Sequence, residues 1–385
     1  MSHTRDDRPG GESIRLGFIP LLDASPLIVA RERGFFREEG LEVRLQRQTS
    51  WASLRDRVAV GLLEGAQMLG PMALAANLGL GAPASPLIAP LVLSRNGNAI
   101  TVRQGLYEQL QATGFDLSRP EKAAQALARL MEGRREPIHV GIVYAWSSHY
   151  LQLRDWLASA GLHPNRHLKL VTVPPTQMLK ALESGGVDLA CVGEPWNSLA
   201  EAQGFGSILV SGTQIWQNAP EKVLGLRADW AHDHPHEVHH MLKALIRACR
   251  WLEDPTNHSE LLDLLALPSY LDCGVKALGQ PGHRLFHPRI HQYFFRQSAN
   301  FPWLSQAKWL LSRMKAWNQL AETAATPDLQ AIHQPDLYRQ AAEALGLNAP
   351  IIDHKPEGQH EHPFIVAGRN GPVEVAADRL IKDAQ

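Results

Sequence analysis

From Ser13 to about residue 230, short apolar runs alternate with segments whose apolar residues recur at helical spacing. This is the pattern of α/β units built around mostly parallel sheets. SIRLGFI (13–19) predicts a first strand. ASPLIVARERGFFREEG (24–40) predicts a helix that stops at Gly40, a residue suited to a left-handed C-terminal cap. LEVRLQR (41–47) alternates apolar and polar positions as a half-buried strand does. Thr49 and Ser50 then cap a helix whose Leu54, Val58, Val60, Leu62 and Leu63 supply a buried face. AQMLGPM leads into another helix, and PLIAPLVLSRNGNAITV (86–102) predicts strand, Asn-Gly turn and strand.

Residues 103–136 are helical and more polar, and the EGRREP cluster at 132–137 marks a surface boundary. A second βα series opens at IHVGIVY (138–144). It runs through a helix at 147–161, a strand HLKLVTV (167–173), the Pro-initiated helix PPTQMLKALESG, a strand GVDLACVG (186–193) and SILVSG (207–212). EKVLGLRADW (221–230) then returns the chain to the first unit. The pattern therefore predicts two lobes, 13–102 with 216–385 as lobe 1 and 103–215 as lobe 2, with crossover segments near 100–105 and 212–220. In such folds a ligand sits between lobes, at the carboxyl ends of strands. Residues 235–347 carry mainly helical patterns. Beyond Pro350 the chain is polar and rich in turn residues, which predicts a loosely packed or surface-draped tail.

The 385 residues are enough for two domains at about 150 residues each. With 38 Lys plus Arg against 39 Asp plus Glu, the net charge is −1, and 20% of residues are charged against 44% hydrophobic. These values argue against direct nucleic-acid binding by phosphate neutralisation and against a disordered chain. Cys191, Cys249 and Cys273 form neither a C-x-x-C pair nor a disulfide framework. The amino terminus, MSHTRDDRPGGESIR, places Asp6 and Asp7 where an export signal needs an apolar run of about 7–15 residues. No run approaches the roughly 18 apolar residues of a membrane span. The expectation is a soluble, cytoplasmic protein without a membrane partner.

Candidate chemistry is sparse. HDHPHEVHH (232–240) places His236 and His240 on one helix face, but zinc needs three or four convergent ligands and no Cys or HExxH motif accompanies them. A solvated helix start explains the cluster more simply, and the same holds for His354, His360 and His362 of the tail. There is no nucleophile elbow and no Walker loop, and LGLGAP (78–83) follows a helical pattern without a lysine, which makes it a turn. Neither an enzymatic activity nor a cofactor is expected. Three helix starts, TSWAS (49–53), WSSH (146–149) and GEPWNS (193–198), would instead present free N–H groups and positive dipole ends to the interlobe crevice, which suits a small anion. Lys222, just after a crossover, could balance one negative charge.

At these residues the chain resembles the nitrate-binding and bicarbonate-binding proteins of ABC uptake systems. The resembling segments are IRLGFIPLLDASPLIVARERGFFREEGLEV, TSWASLRDRVAVGLLEGAQML, NGNAITV, HYLQLRDWLASAG, VPPTQMLKALESGGVDLACVGEPWNSLA and APEKVLGLRADW, with DLYRQAAEALGL (336–347) further on. The resemblance implies a two-lobed periplasmic-binding-protein (type II) fold with a helical C-terminal part. It also implies a ligand pocket at Trp51, Asn98, His149, Gly193, Glu194 and Lys222. Asn98 stands where the family usually has Gln, and YAWSS (144–148) replaces its Gly-rich turn. Each position also has a plainer structural use: a core aromatic, a turn amide, a helix cap or a solvated lysine. For Glu194 that plainer use is the stronger reading, because a carboxylate repels an anion. The bicarbonate-binding relatives use a carboxylate with a calcium ion at the lysine position, so Lys222 implies nitrate or nitrite without a metal.

Together with the polar amino terminus, the resemblance implies a cytoplasmic nitrate/nitrite sensor that holds an RNA-binding antiterminator and releases it on ligand binding. The alternatives are the substrate-binding component of a nitrate/bicarbonate ABC transporter and, further off, an enzyme on the same fold.

Overall fold

The computed structural model describes residues 13–163, 167–279 and 285–381. Residues 1–12, which carry most of the amino-terminal argument about export, lie outside the described residues.

Two five-stranded sheets form the framework of the molecule, with two small two-stranded sheets in the tail. In the first, β1 (Ile14–Phe18) lies between β2 (Val43–Arg47) and β3 (Gly65–Leu69). Then come β10 (Pro220–Arg227) and β4 (Leu87–Arg95), in the order β2-β1-β3-β10-β4. The second contains β5 (Asn98–Arg103), β6 (Ile138–Ile142), β7 (Leu168–Thr172), β8 (Leu189–Gly193) and β9 (Gly206–Ser211), ordered β7-β6-β8-β5-β9. In each sheet one strand that has crossed from the other lobe, β10 or β5, runs antiparallel between its neighbours. This is the expected two-lobed, periplasmic-binding-protein-like α/β architecture. Among the described residues no helix is long and apolar enough to cross a membrane.

Three readings of the chain change. The segment 86–102 is strand, turn and strand, but not a hairpin: β5 pairs with β8 and β9 in the second sheet. Asn96 (φ 55) and Gly97 (φ 82) redirect the chain from one lobe to the other, so the first crossover lies at 96–97 rather than near 100–105. The five positions of β3 are all buried. A strand covered on both faces shows no polar alternation, which is why GAQML escaped notice. The tail after Pro350 is also neither loose nor merely draped. It forms the hairpin Phe364–Gly368 with Gly371–Val375, and its last described residues pack on the second core through Leu380 and Ile381.

That tail grips the second crossover. Ile381 N–H donates to Ile215 O (2.7 Å) and Gln217 N–H to Arg379 O (2.9 Å). Trp216 Nε1 donates to Asp378 Oδ1, whose carboxylate is paired with Lys355. The two crossovers are tied to each other through Asn96. Its Nδ2 donates to Gln217 O (2.8 Å), its Oδ1 accepts from Ala219 N–H (3.1 Å), and its N–H donates to Ala219 O (3.0 Å).

Candidate anion-binding cleft

The lobes meet closely. Leu22 N–H donates to Glu194 O (2.7 Å), Trp196 Nε1 donates to Pro20 O (3.2 Å), and Arg55 Nη1 donates to the Tyr144 hydroxyl (2.9 Å). Between these contacts the predicted residues Trp51, Asn98, His149 and Lys222 gather around a residue the sequence reading missed, Glu221.

Each arrives by an identifiable local device. Ser50 caps helix Trp51–Ala59 by accepting from Ser53 N–H (3.2 Å), which sets Trp51 at the first helical position. Ser147 caps helix Ser148–Ala158 in the same way, accepting from Tyr150 N–H (3.2 Å) and setting Ser148 and His149 at its start. Asn98 opens β5 directly after the crossover. Glu221 and Lys222 lie where β10 shifts register against β4 on either side of Lys222. Such a bulge lets consecutive residues serve one site instead of opposite faces.

Glu221 is fully buried and saturated. Its Oε1 accepts from His149 Nδ1 (2.7 Å) and Lys222 Nζ (2.8 Å), and its Oε2 from Asn98 Nδ2 (3.0 Å) and Ser148 Oγ (2.5 Å). Burial pushes this carboxyl up, but Lys222 and His149 outweigh burial and hold it down at about 2. Lys222 Nζ also pairs with Asp23 Oδ2 (2.7 Å) and stands 5.7 Å from the Trp51 ring centre. Burial opposes its charge, yet the two carboxylates win and raise it above the ordinary lysine range. Asp23 goes the other way: burial, only partly offset by Lys222, raises its carboxyl. Gln67 completes this corner, donating to Asp23 and accepting from Ile19 N–H (2.9 Å).

Two expectations are thereby corrected. Lys222 is not a free cation awaiting a monoanion, because its charge is spent on two carboxylates of the protein. The amide of Asn98 faces Glu221, so Asn98 shapes the site through that carboxylate. Gly193 does face the opposite lobe: a Cβ there would lie 3.4 Å from Leu21 Cδ2 and 3.6 Å from Asp23 Oδ2. The side chain of Glu194 engages its own helix, with Ser198 N–H donating to Oε2 (3.4 Å), and burial pushes its carboxyl up to about 7. Its turn meets the opposite lobe through the backbone carbonyl.

What remains unpaired is informative. His149 Nε2, Trp51 Nε1 and both amide atoms of Gln152, all buried, have no hydrogen-bond partner among the described residues. Gln152 lies beside Asn98, since a Cβ placed on Gly212 would sit 2.2 Å from Asn98 Oδ1 and 2.9 Å from Gln152 Oε1. Buried polar atoms left without partners are costly, and a small polar ligand would relieve them. Among the described residues no group of three or more His, Cys, Asp or Glu could hold a metal ion. The HDHPHEVHH segment instead pairs outward, His240 Nδ1 meeting Glu39 Oε2 at 2.8 Å.

Comparison with known proteins gives the family and the same fold. A family model described as the NMT1-like family matches residues 7–266. The nitrate import ATP-binding protein NrtC of Synechocystis sp. is 35% identical over 348 residues, covering 87% of this chain and 50% of its own. The bicarbonate transport ATP-binding protein CmpC of the same organism is 38% identical over 345 residues, again covering 87% of this chain and 50% of its own. The chain thus spans about half the length of these curated relatives. The crystal structure of the periplasmic nitrate-binding protein NrtA from Synechocystis PCC 6803 superposes with a TM-score of 0.80 at 26% identity, covering 93% of this chain and 94% of that one.

Proposed function

Since the chain belongs to the NMT1-like family, we propose that it is a two-lobed clamp for nitrate or nitrite, serving as the binding component of an ABC-type uptake system. The observation that carries the reading is the closed cleft itself, in which unpaired Trp51 and His149 nitrogens border a saturated, buried Glu221–Lys222 pair. A flat oxyanion accepts hydrogen bonds at every oxygen and can satisfy donors from both lobes at once. Support for transport comes from the relatives named as nitrate import and bicarbonate transport ATP-binding proteins. The sensor reading, with its antiterminator partner and cytoplasmic location, rests on the character of the amino terminus and has no comparable support.

Nitrate or nitrite is favoured over bicarbonate on one ground: the Lys222 ammonium, held between Asp23 and Glu221, is a tethered cation at the position where the resemblance gives the bicarbonate-binding proteins a carboxylate and a metal ion. Calorimetric titration with nitrate, nitrite and bicarbonate tests the proposal. Binding of either nitrogen oxyanion, tighter than bicarbonate, is expected. No heat from any of the three would overturn it.

A further inference from the structure

The Glu221–His149 contact has a consequence for what must enter the cleft. An ionised carboxylate only accepts hydrogen bonds, so the 2.7 Å contact between Glu221 Oε1 and His149 Nδ1 puts a hydrogen on Nδ1. In a neutral imidazole the other nitrogen, Nε2, then carries a bare lone pair. That nitrogen is buried and has no partner among the described residues. An oxygen of nitrate or nitrite arriving there would meet a lone pair with a lone pair. The contact becomes a hydrogen bond only when Nε2 also carries a proton, making the ring an imidazolium that donates to Glu221 on one side and to the anion on the other.

Charge bookkeeping leads to the same place. Lys222 cancels the charge of Glu221, and burial raises the Asp23 carboxyl toward its neutral form, so the cluster holds no uncompensated positive charge for a monoanion unless His149 gains one. Bringing an anion into a buried site without a counter-charge is expensive. The groups facing His149 leave few candidates to supply one. From β10 come Glu221 and Lys222, and from the turn before helix Ser25–Glu32 comes Asp23, reached through Lys222. From β8 comes the Cys191 thiol, which donates to the His149 carbonyl (3.4 Å) and whose ionisation burial makes harder. Ser148, Asn98, Gln152 and Trp51 do not titrate in the ordinary range.

We propose that the anion is bound together with a proton, taken from solvent onto His149 Nε2 on binding and returned to solvent on release. This rests on the oxyanion reading above and adds to it: the clamp takes up the equivalent of the undissociated acid, and its affinity follows pH as well as anion concentration.

Titration calorimetry of the full chain with sodium nitrate, in phosphate and in Tris, reads the proton directly, because the two buffers differ widely in ionisation heat. Roughly one proton taken up per nitrate is expected toward the alkaline end of a series from about pH 6 to about pH 9, with affinity falling about tenfold per pH unit there. His149→Gln keeps an amide donor that does not titrate, so it should bind nitrate more weakly, and the binding that remains should show no proton uptake and no pH slope. Glu221→Gln frees the tautomer of His149, and its uptake should also disappear. Asp23→Asn should retain the uptake. Equal heats in both buffers with pH-independent affinity in the parent protein would overturn the proposal while leaving nitrate binding intact. Uptake that persists in His149→Gln would overturn the assignment to that ring. No heat with nitrate, nitrite or bicarbonate at any pH would remove the oxyanion reading, and the proposal with it.

Discussion

Gly212, at the start of the second crossover, tests how tightly the site is built. A Cβ on this residue would lie 2.2 Å from Asn98 Oδ1 and 2.9 Å from Gln152 Oε1, both below the 3.0 Å that real contacts of this kind respect. Asn98 is only 2% exposed and cannot swing into solvent. In Gly212→Ala its amide must rotate, and rotation breaks the 3.0 Å bond to Glu221 Oε2. Loss of a hydrogen bond to a charged group costs about 1.5–3 kcal/mol, and overpacking costs about 1–3 kcal/mol more. A total destabilisation of about 2.5–6 kcal/mol is therefore expected, read as a lower denaturant midpoint at an unchanged slope. The double-mutant cycle with Asn98→Ala is the sharper assay. With the amide gone, the same glycine substitution should cost less than about 1 kcal/mol, giving a coupling of about 2 kcal/mol. A Gly212→Ala protein within about 0.5 kcal/mol of its parent, or one whose loss is undiminished beside Asn98→Ala, would refute the geometry.

Other substitutions probe separate parts of the argument. Lys222→Met leaves Asp23 and Glu221 buried without their cation and should lower stability by about 3–5 kcal/mol in denaturant unfolding, with part of the loss recovered by adding Asp23→Asn. Glu194 binds its proton more tightly when folded, its carboxyl rising from 4.5 to about 7, so it contributes stability below the unfolded value that is lost as pH rises through about 7. Glu194→Gln should flatten thermal stability across that window, by up to about 3 kcal/mol, whereas an unchanged profile would place the titration elsewhere. Trp216→Phe keeps an aromatic ring but removes the donor to Asp378 and part of the buried indole, and calorimetric melting should show a loss of at least about 1–3 kcal/mol. An unaltered melt would mean that the tail does not brace the crossover.

Most of the architecture is legible in the chain because alternating strands and helices announce themselves by period. β3 is the exception, since burial on both faces erases its polar positions. The crossover at Asn96–Gly97 is visible as a turn, but nothing local distinguishes a turn that folds a hairpin from one that sends the next strand to another sheet. At the site, Trp51, Asn98, His149 and Lys222 are recoverable through motif resemblance, and the structure brings all four together. Glu221 stays hidden beside them. In a regular strand it would point away from Lys222, and only the register shift of β10 turns both to one place. Ser148 and Gln152 share a helix with His149, and Asp23 lies in the LLDA opening, yet none has a role until distant segments meet.

The position of β10 between β3 and β4 also fixes the order in which the molecule can be finished. All five strands of the second sheet lie within residues 98–211, so that sheet has its strands complete while later parts of the chain are still being made. The first sheet has its amino-terminal strands early but a gap between β3 and β4 until residues 220–227 emerge. Its largest non-local contacts therefore close last. Glu221 and Lys222 arrive on that closing strand, so the cleft is assembled in the same step that completes the first lobe.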